Sequence, residues 1–286
     1  MFKFERGVQN ASESSAASED TYTWYRQSKR LFVIPVIKAV RLDAQRNKVW
    51  AFEKVVCATF SKIYLFEMKN VIITGSSGMI GGLVLEQCLK RDDVANVTTI
   101  VRRTSGIKHK KLTEIIHQNF LDYTTIEQEL KNQQVCFFCI GVYTGQVPAP
   151  QFKTITVDYT KAFSEALKQQ SPDATFCFLS GQGADSSEKS RVLFAREKGI
   201  AENALLQLHF SKTHIFRPGY IYPVTPRNEP NAMYKMMRRI YKPLSAIYPN
   251  IGVTSEQLAK AMIQVGLNGG AKTIYENADI RRHTAE

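Results

Sequence analysis

The clearest chemistry in this chain of 286 residues lies between Gly75 and Gly81, which read Gly-Ser-Ser-Gly-Met-Ile-Gly. The apolar run Asn70-Val-Ile-Ile-Thr74 stands directly before them, and a segment of helical pattern reaching Lys90 follows. A Gly-x-x-Gly-x-x-Gly turn between a strand and a helix suits a pyrophosphate. Gly75 lets the chain turn sharply, Gly78 lets the backbone approach the ligand, and Gly81 lets the helix pack closely. The first helical amides, around Met79 and Ile80, then point unpaired N–H groups at phosphate oxygens. Ser76 and Ser77 add hydroxyl donors. A tight turn without a ligand is the alternative, and it leaves the order of strand, glycines and helix unexplained.

A second constellation follows the next strand, Val97-Thr-Thr-Ile-Val101. A site specific for NAD ordinarily carries a carboxylate there for the ribose hydroxyls, whereas this chain has Arg102 and Arg103. Two guanidinium groups suit a 2′-phosphate, so the expected cofactor is NADP(H), with NAD(H) as the alternative. A solvated basic turn is the plainer reading of the same pair.

These groups need a frame that holds them at one edge. Further strands are expected at Ile115-Ile116, around Cys136, at Thr175–Leu179, at His214–Phe216 and near Thr273–Tyr275. Helices are expected over 151–169 and 191–208, with a shorter one to about Lys131 opened by a Thr124-x-x-Glu127 capping box. Apolar strands alternating with helices predict an α/β fold, a Rossmann-type doubly wound parallel sheet. A small C-terminal substrate-side region, mainly 219–250, should carry a helix over 232–240. A further helix should be capped by Thr254-x-x-Gln257.

Residues 1–67 lack this regularity. The stretch 11–20 is small, polar and acidic, which predicts disorder. The apolar pieces Leu31–Ile34 and Val55–Ala58 show no clean period. The chain therefore divides into an N-terminal extension, 1–67, and a nucleotide-binding domain, 68–286.

With 44% hydrophobic and 22% charged residues the chain can bury a core. The net charge of +12 points to anionic partners. The basic residues are scattered without a nucleic-acid recognition motif, so nucleic acid is not expected. Cys57, Cys88, Cys136, Cys139 and Cys177 are odd in number and set among apolar residues, which suggests buried thiols in a reducing compartment and a cytoplasmic protein. Cys136 and Cys139 form a Cys-x-x-Cys, but residues three apart on a strand face opposite sides, so no disulfide is expected. The histidines show no metal-ligand spacing. No stretch reaches the roughly 20 apolar residues of a spanning helix. Monomer or homodimer both remain open.

The glycine loop, taken with later segments, resembles the atypical short-chain dehydrogenase/reductase superfamily, nearest its Tat-interacting-protein branch. The resemblance covers Met68 to the C-terminus. It places Asn119-Phe120 where an acidic residue and an apolar one flank adenine, so that contact is altered. It sets Cys139-Ile-Gly141 in the fourth-strand turn alongside the cofactor, and Val157-Asp158 in a helix bracing the sheet. Phe216-Arg-Pro-Gly219 resembles the segment that brings Pro218 toward the nicotinamide. The family's active centre is a Ser or Thr after the fifth strand, then Tyr-x-x-x-Lys on the next helix. Ser180 and Lys198 match, while the tyrosine position is Phe194, which cannot transfer a proton.

The resemblance implies that Lys198 holds ribose hydroxyls and that Ser180 hydrogen-bonds a carbonyl oxygen. Tyr143, Tyr220 or Tyr222 could supply the missing acid, although loop tyrosines more often pack. Two functions stay open: an NADPH-dependent reductase of a small carbonyl substrate, or a non-catalytic dinucleotide-binding protein that regulates a protein partner. Because family members commonly begin just before the first strand, Met68 looks like a natural start, and residues 1–67 are expected to be dispensable.

Overall fold

The structure, a computed structural model, describes residues 68–143, 145–225 and 232–284. The chain divides into two units, Met1–Phe66 and Glu67–Glu286, and only the second is described. The expectations for 11–20, for the apolar pieces of the first unit and for Cys57 lie outside the described residues.

In chain order the strands are β1 (Lys69–Thr74), β2 (Val94–Val101), β3 (Leu112–Ile116), β4 (Val135–Phe138), β5 (Thr175–Leu179), β6 (Lys212–Arg217), β7 (Tyr220–Tyr222), β8 (Gly252–Thr254) and β9 (Ile274–Glu276). The helices are α1 (Met79–Lys90), α2 (Ala149–Lys153), α3 (Tyr159–Gln170), α4 (Leu193–Gln207), α5 (Ala232–Ile247), α6 (Ser255–Asn268) and α7 (Asn277–Arg282). Seven strands form a sheet in the order β3-β2-β1-β4-β5-β6-β9, and every pair in it is parallel. This is the expected doubly wound sheet, and its order reverses between β1 and β4.

Alternation along each strand builds two cores. Val71, Ile73, Phe137 and Cys177 face one layer with α1 and α6 residues such as Val84 and Met262. Ile72, Cys136, Phe138, Phe176 and Phe178 face the other, with Phe163 of α3 and Leu205 of α4. Removing each such Ile or Phe from water contributes about 1.5–3 kcal/mol. Strands covered on both faces must be apolar throughout, which is why their sequences read as continuous runs. Cys136 packs in the second layer and Cys139 against the first, and the four described cysteines are free. The Cys-x-x-Cys pair is structural.

Several local expectations need correction. Thr124–Leu130 is a 3-10 helix without a side-chain cap from its preceding residue, so the Thr124–Glu127 capping box does not form. Asp122 takes over instead, its Oδ1 accepting from Thr124 N at 2.9 Å and from Thr124 Oγ1 at 2.8 Å. The helix expected over 151–169 is broken by a π-helical turn, Thr154–Asp158, between α2 and α3. The helix expected over 232–240 runs on to Ile247 with Pro243 inside it. Met236 of that helix is exposed. The sequence also gave no sign of the small parallel pair β7–β8, which braces the segment after Arg217.

The Thr254 box forms as expected: Thr254 Oγ1 accepts from Gln257 N at 3.1 Å, and Gln257 Oε1 accepts from Thr254 N at 3.0 Å. Since α6 and α1 together cover one core layer, this cap bears on global stability. Thr254→Ala should cost about 1 kcal/mol in urea unfolding. An unchanged midpoint would mean that the hydroxyl contributes nothing.

Candidate functional site

In a parallel sheet the carboxyl ends of all strands share one edge, and ligands bind there where the strand order reverses. The turns after β1, β2, β4 and β5 therefore gather the glycine loop, Arg102 and Arg103, Cys139–Gly141, and Ser180 along that edge.

The glycine loop is held by its own backbone. Gly75 has φ +75°, and a Cβ there would lie 2.7 Å from the Cys139 carbonyl carbon and oxygen. The Gly75 carbonyl accepts from Gly78 N at 2.9 Å, and a Cβ on Gly81 would stand 2.2 Å from that same oxygen. Gly78, the residue before α1, provides no side-chain cap. The amides of Met79, Ile80 and Gly81, which helix geometry leaves without an intrahelical carbonyl, are thus available to an anion. Ser77 is exposed and Ser76 buried. The Ile80 side chain belongs to the core, so only its backbone can serve a ligand. A Cβ on Gly141 would meet nothing within 4 Å, which leaves space over the fourth-strand turn. A phosphate-bearing dinucleotide fits this edge.

At the adenosine end Arg102 and Arg103 are exposed just beyond β2. Asn119 is exposed too, its Oδ1 accepting from Leu121 N at 3.2 Å. Phe120 departs from expectation. Its ring is buried in the second core layer, 5.6 Å from the Tyr159 ring and edge-on to Tyr123 at 6.3 Å. That aromatic cluster fixes the ring in the second core layer.

At the other end Ser180 and Lys198 come together at the tip of β5. Ser180 N donates to Phe216 O at 2.8 Å, which fixes the residue against β6. The Lys198 ammonium donates to Leu179 O at 3.2 Å and lies 5.1 Å above the Phe178 ring. Burial pushes Lys198 down to about 8, with Glu202 pulling the other way. Phe194 lies one helical turn before Lys198, and its ring tip would be 2.4 Å from a Cβ on Gly181, so the ring lies against the residue after Ser180. Pro218 is buried behind this cluster, its carbonyl accepting from Gln182 N at 2.8 Å.

Glu202 joins this cluster, a residue to which the sequence reading gave no role. It is 1% exposed, and it accepts from the Ser180 hydroxyl. Arg217 Nε reaches both of its oxygens, at 3.0 and 3.1 Å, and Arg217 Nη2 bonds the second as well. The only sequence signal was a glutamate four residues after Lys198, on the same helical face. The tyrosines considered as acids have packing roles: Tyr222 stacks on Tyr241 at 4.8 Å, and Tyr220 lies 5.5 Å from the same ring. Tyr143 sits in the β4 turn, its N–H donating to Gln146 Oε1 at 3.2 Å. Among the described residues no cluster of His, Cys, Asp and Glu could hold a metal ion, and no helix is long and apolar enough to cross a membrane.

The pattern of a family described as NAD(P)H-binding matches residues 75–222, from the first glycine of the loop to the end of β7. The chain belongs to this NAD(P)H-binding family. A nicotinamide dinucleotide is accordingly the ligand class of the carboxyl edge. Protein HTATIP2 of Rattus norvegicus is 27% identical over 161 residues, spanning 55% of this chain and 65% of that protein, just under two thirds of its length. Protein fmp52, mitochondrial, of Emericella nidulans is 25% identical over 243 residues, spanning 77% of this chain and all of that protein. These likenesses agree with the resemblance read in the sequence to the Tat-interacting-protein branch of the atypical short-chain dehydrogenase/reductases. Among solved structures, the Bordetella bronchiseptica enzyme WbmH in complex with NAD+ matches with a TM-score of 0.54 at 17% identity, covering 73% of this chain and 75% of that one. A short chain dehydrogenase family protein from Francisella tularensis matches with a TM-score of 0.52 at 15% identity, covering 77% and 100%. These two likenesses show the fold. The expectation of a cytoplasmic protein is overturned, because relatives from several fungi are named mitochondrial. Buried thiols reported on their apolar surroundings and not on a compartment.

Lys198 makes stability depend on pH. Its proton leaves the folded state at about 8 and the unfolded chain at 10.5. The unfolded chain thus binds more protons between those values, and stability rises with pH across that window. Relative to Lys198→Met, the native chain should gain up to about 3 kcal/mol as pH rises through it. Parallel unfolding curves that keep a constant gap would show that the lysine carries no such penalty.

Proposed function

We propose that this chain is an NADP(H)-dependent reductase of a small carbonyl compound, working slowly because Phe194 stands where the family carries a tyrosine. The carrying observation is the placement of Ser180 and Lys198 together at the tip of β5, on the edge that holds the glycine loop. NADP(H) is preferred to NAD(H) on the two exposed guanidinium groups that stand directly beyond β2, where an NAD-specific site carries its acidic residue. A bound NADPH would supply the hydride. The chain's part is to hold the phosphates on the amides of Met79–Gly81, the 2′-phosphate on Arg102 and Arg103, and the ribose hydroxyls on Lys198. The turn 139–141 and Pro218 would line the nicotinamide end.

One observation favours a second reading, a non-catalytic dinucleotide sensor acting on a protein partner. Phe194 has no proton to give, and the Ser180 hydroxyl already donates to Glu202. Phe194→Tyr separates the two. The rings have similar volume, so NADPH affinity should hardly change, whereas reductase activity should rise about 10²–10⁴-fold if the pocket admits a carbonyl. A parent and variant that both bind NADPH and both fail to reduce a panel of small aldehydes and ketones would favour the sensor.

Cofactor choice has its own test. By fluorescence titration NADPH should bind at least about tenfold more tightly than NADH, the scale of one charge-assisted hydrogen bond. Arg102→Asp should weaken or reverse that preference. Equal affinities in the parent chain would remove the argument from Arg102 and Arg103.

The domain boundary is part of the proposal. A chain starting at Met68 should fold and keep its NADPH affinity, since the β1 register begins at Lys69; insolubility or lost binding would count against it. The fungal relatives' names support a mitochondrial site for this chain, which fractionation of the full-length protein can read directly.

A further inference from the structure

Reduction of a carbonyl needs a proton for the oxygen as well as a hydride for the carbon. Each of the family's two hydroxyl positions is withheld from that duty here. Phe194 presents a ring edge to Gly181, and the hydrogen of Ser180 points at Glu202, leaving that oxygen able to accept but not to donate. Beside them sits a cation whose place is unusually determined. The Lys198 ammonium is pinned to the last carbonyl of β5, next to Ser180, with the Phe178 ring beneath it. Glu202 follows one helical turn later and is itself immobilised by Arg217, whose Nη2 continues to Ser186 Oγ at 3.1 Å.

We propose that Lys198 is the proton donor of this site, and that Glu202 is its positioning residue, holding Ser180 away from that role and setting the charge beside the ammonium. This rests on the reductase reading above. As the carbonyl carbon gains the hydride, its oxygen takes a proton from the Lys198 ammonium, yielding the alcohol. The resulting amine then regains a proton from water. The lysine's value of about 8 suits an acid working near neutrality. The titratable groups around it are Glu202 on its own helix, backed by Arg217 of β6, and the Cys139 thiol of the β4 turn. Burial holds that thiol up at about 12, so it stays neutral over the working range.

Two readouts test the assignment on the full-length chain. The first needs neither cofactor nor turnover: the rate of Lys198 acetylation by acetic anhydride, followed by peptide mass spectrometry as a function of pH. Its midpoint should fall by about one pH unit or more in Glu202→Gln, because the anion that favours the ammonium is gone. An unchanged midpoint in a folded variant overturns the role of Glu202. If Glu202→Gln does not fold, Arg217→Met should move the midpoint the other way, and a fixed midpoint there overturns the same role.

The second readout is NADPH-dependent reduction of methylglyoxal. The rate should fall as pH rises through the labelling midpoint. Lys198→Arg, which keeps a charge but no proton to give, should retain NADPH binding and lose about 100-fold or more in rate. Activity and pH profile preserved in Lys198→Arg would overturn Lys198 as donor while leaving the reductase reading in place. No reduction of methylglyoxal by the parent, or by Phe194→Tyr, overturns that reading and the donor with it.

Discussion

A single close contact underlies the dinucleotide edge: the backbone of α1 pressed onto the carbonyl of Gly75, with 2.2 Å left for any Cβ on Gly81. Because no side chain fits there, the helix begins directly at the turn and its first amides stay uncapped. The same turn needs the left-handed conformation at Gly75 and lies flush on the β4 turn at Cys139. Two loops from different parts of the sequence are thereby set at a fixed distance before any ligand arrives. The sheet supplies the rest, since parallel pairing alone puts the tips of β1, β2, β4 and β5 on one side.

The opposite end of that edge is organised by charge. Arg217 and Glu202 form a nearly buried pair, and such a pair is tolerated only when each partner is well bonded. Glu202 meets that condition by taking Ser180 and Arg217 together, and so joins the ends of β5 and β6 to the middle of α4. The arrangement leaves Lys198 with a carboxylate near enough to offset part of its burial. What stands at this end is therefore one unit of four side chains and not a set of separate catalytic positions.

The fold was legible because it depends on period and order. Continuous apolar runs such as Val135–Phe138 and Thr175–Leu179 could only be strands covered on both faces, and the glycines marked the turn. Local hydrogen bonding was less legible. Thr124 and Glu127 satisfy a capping pattern, yet Asp122 sits two residues earlier with a better-placed oxygen and closes the turn first. The packing of the Phe120 ring was not legible because one of its partners, Tyr159, lies far along the chain. Glu202 was overlooked because its partners, Ser180 and Arg217, lie 22 and 15 residues away. The pair β7–β8 was invisible for a similar reason: three-residue strands carry too little pattern to be read alone.

The four described thiols are divided between the two core layers, and their burial has a chemical outcome. Desolvation lifts Cys88 and Cys139 to about 12 and raises Cys136 and Cys177 well above the ordinary range. Peroxides and disulfides react with the thiolate, and at neutral pH a thiol near 12 is ionised in only about one molecule in a hundred thousand. These four thiols are thus poor targets for such oxidants while the domain stays folded.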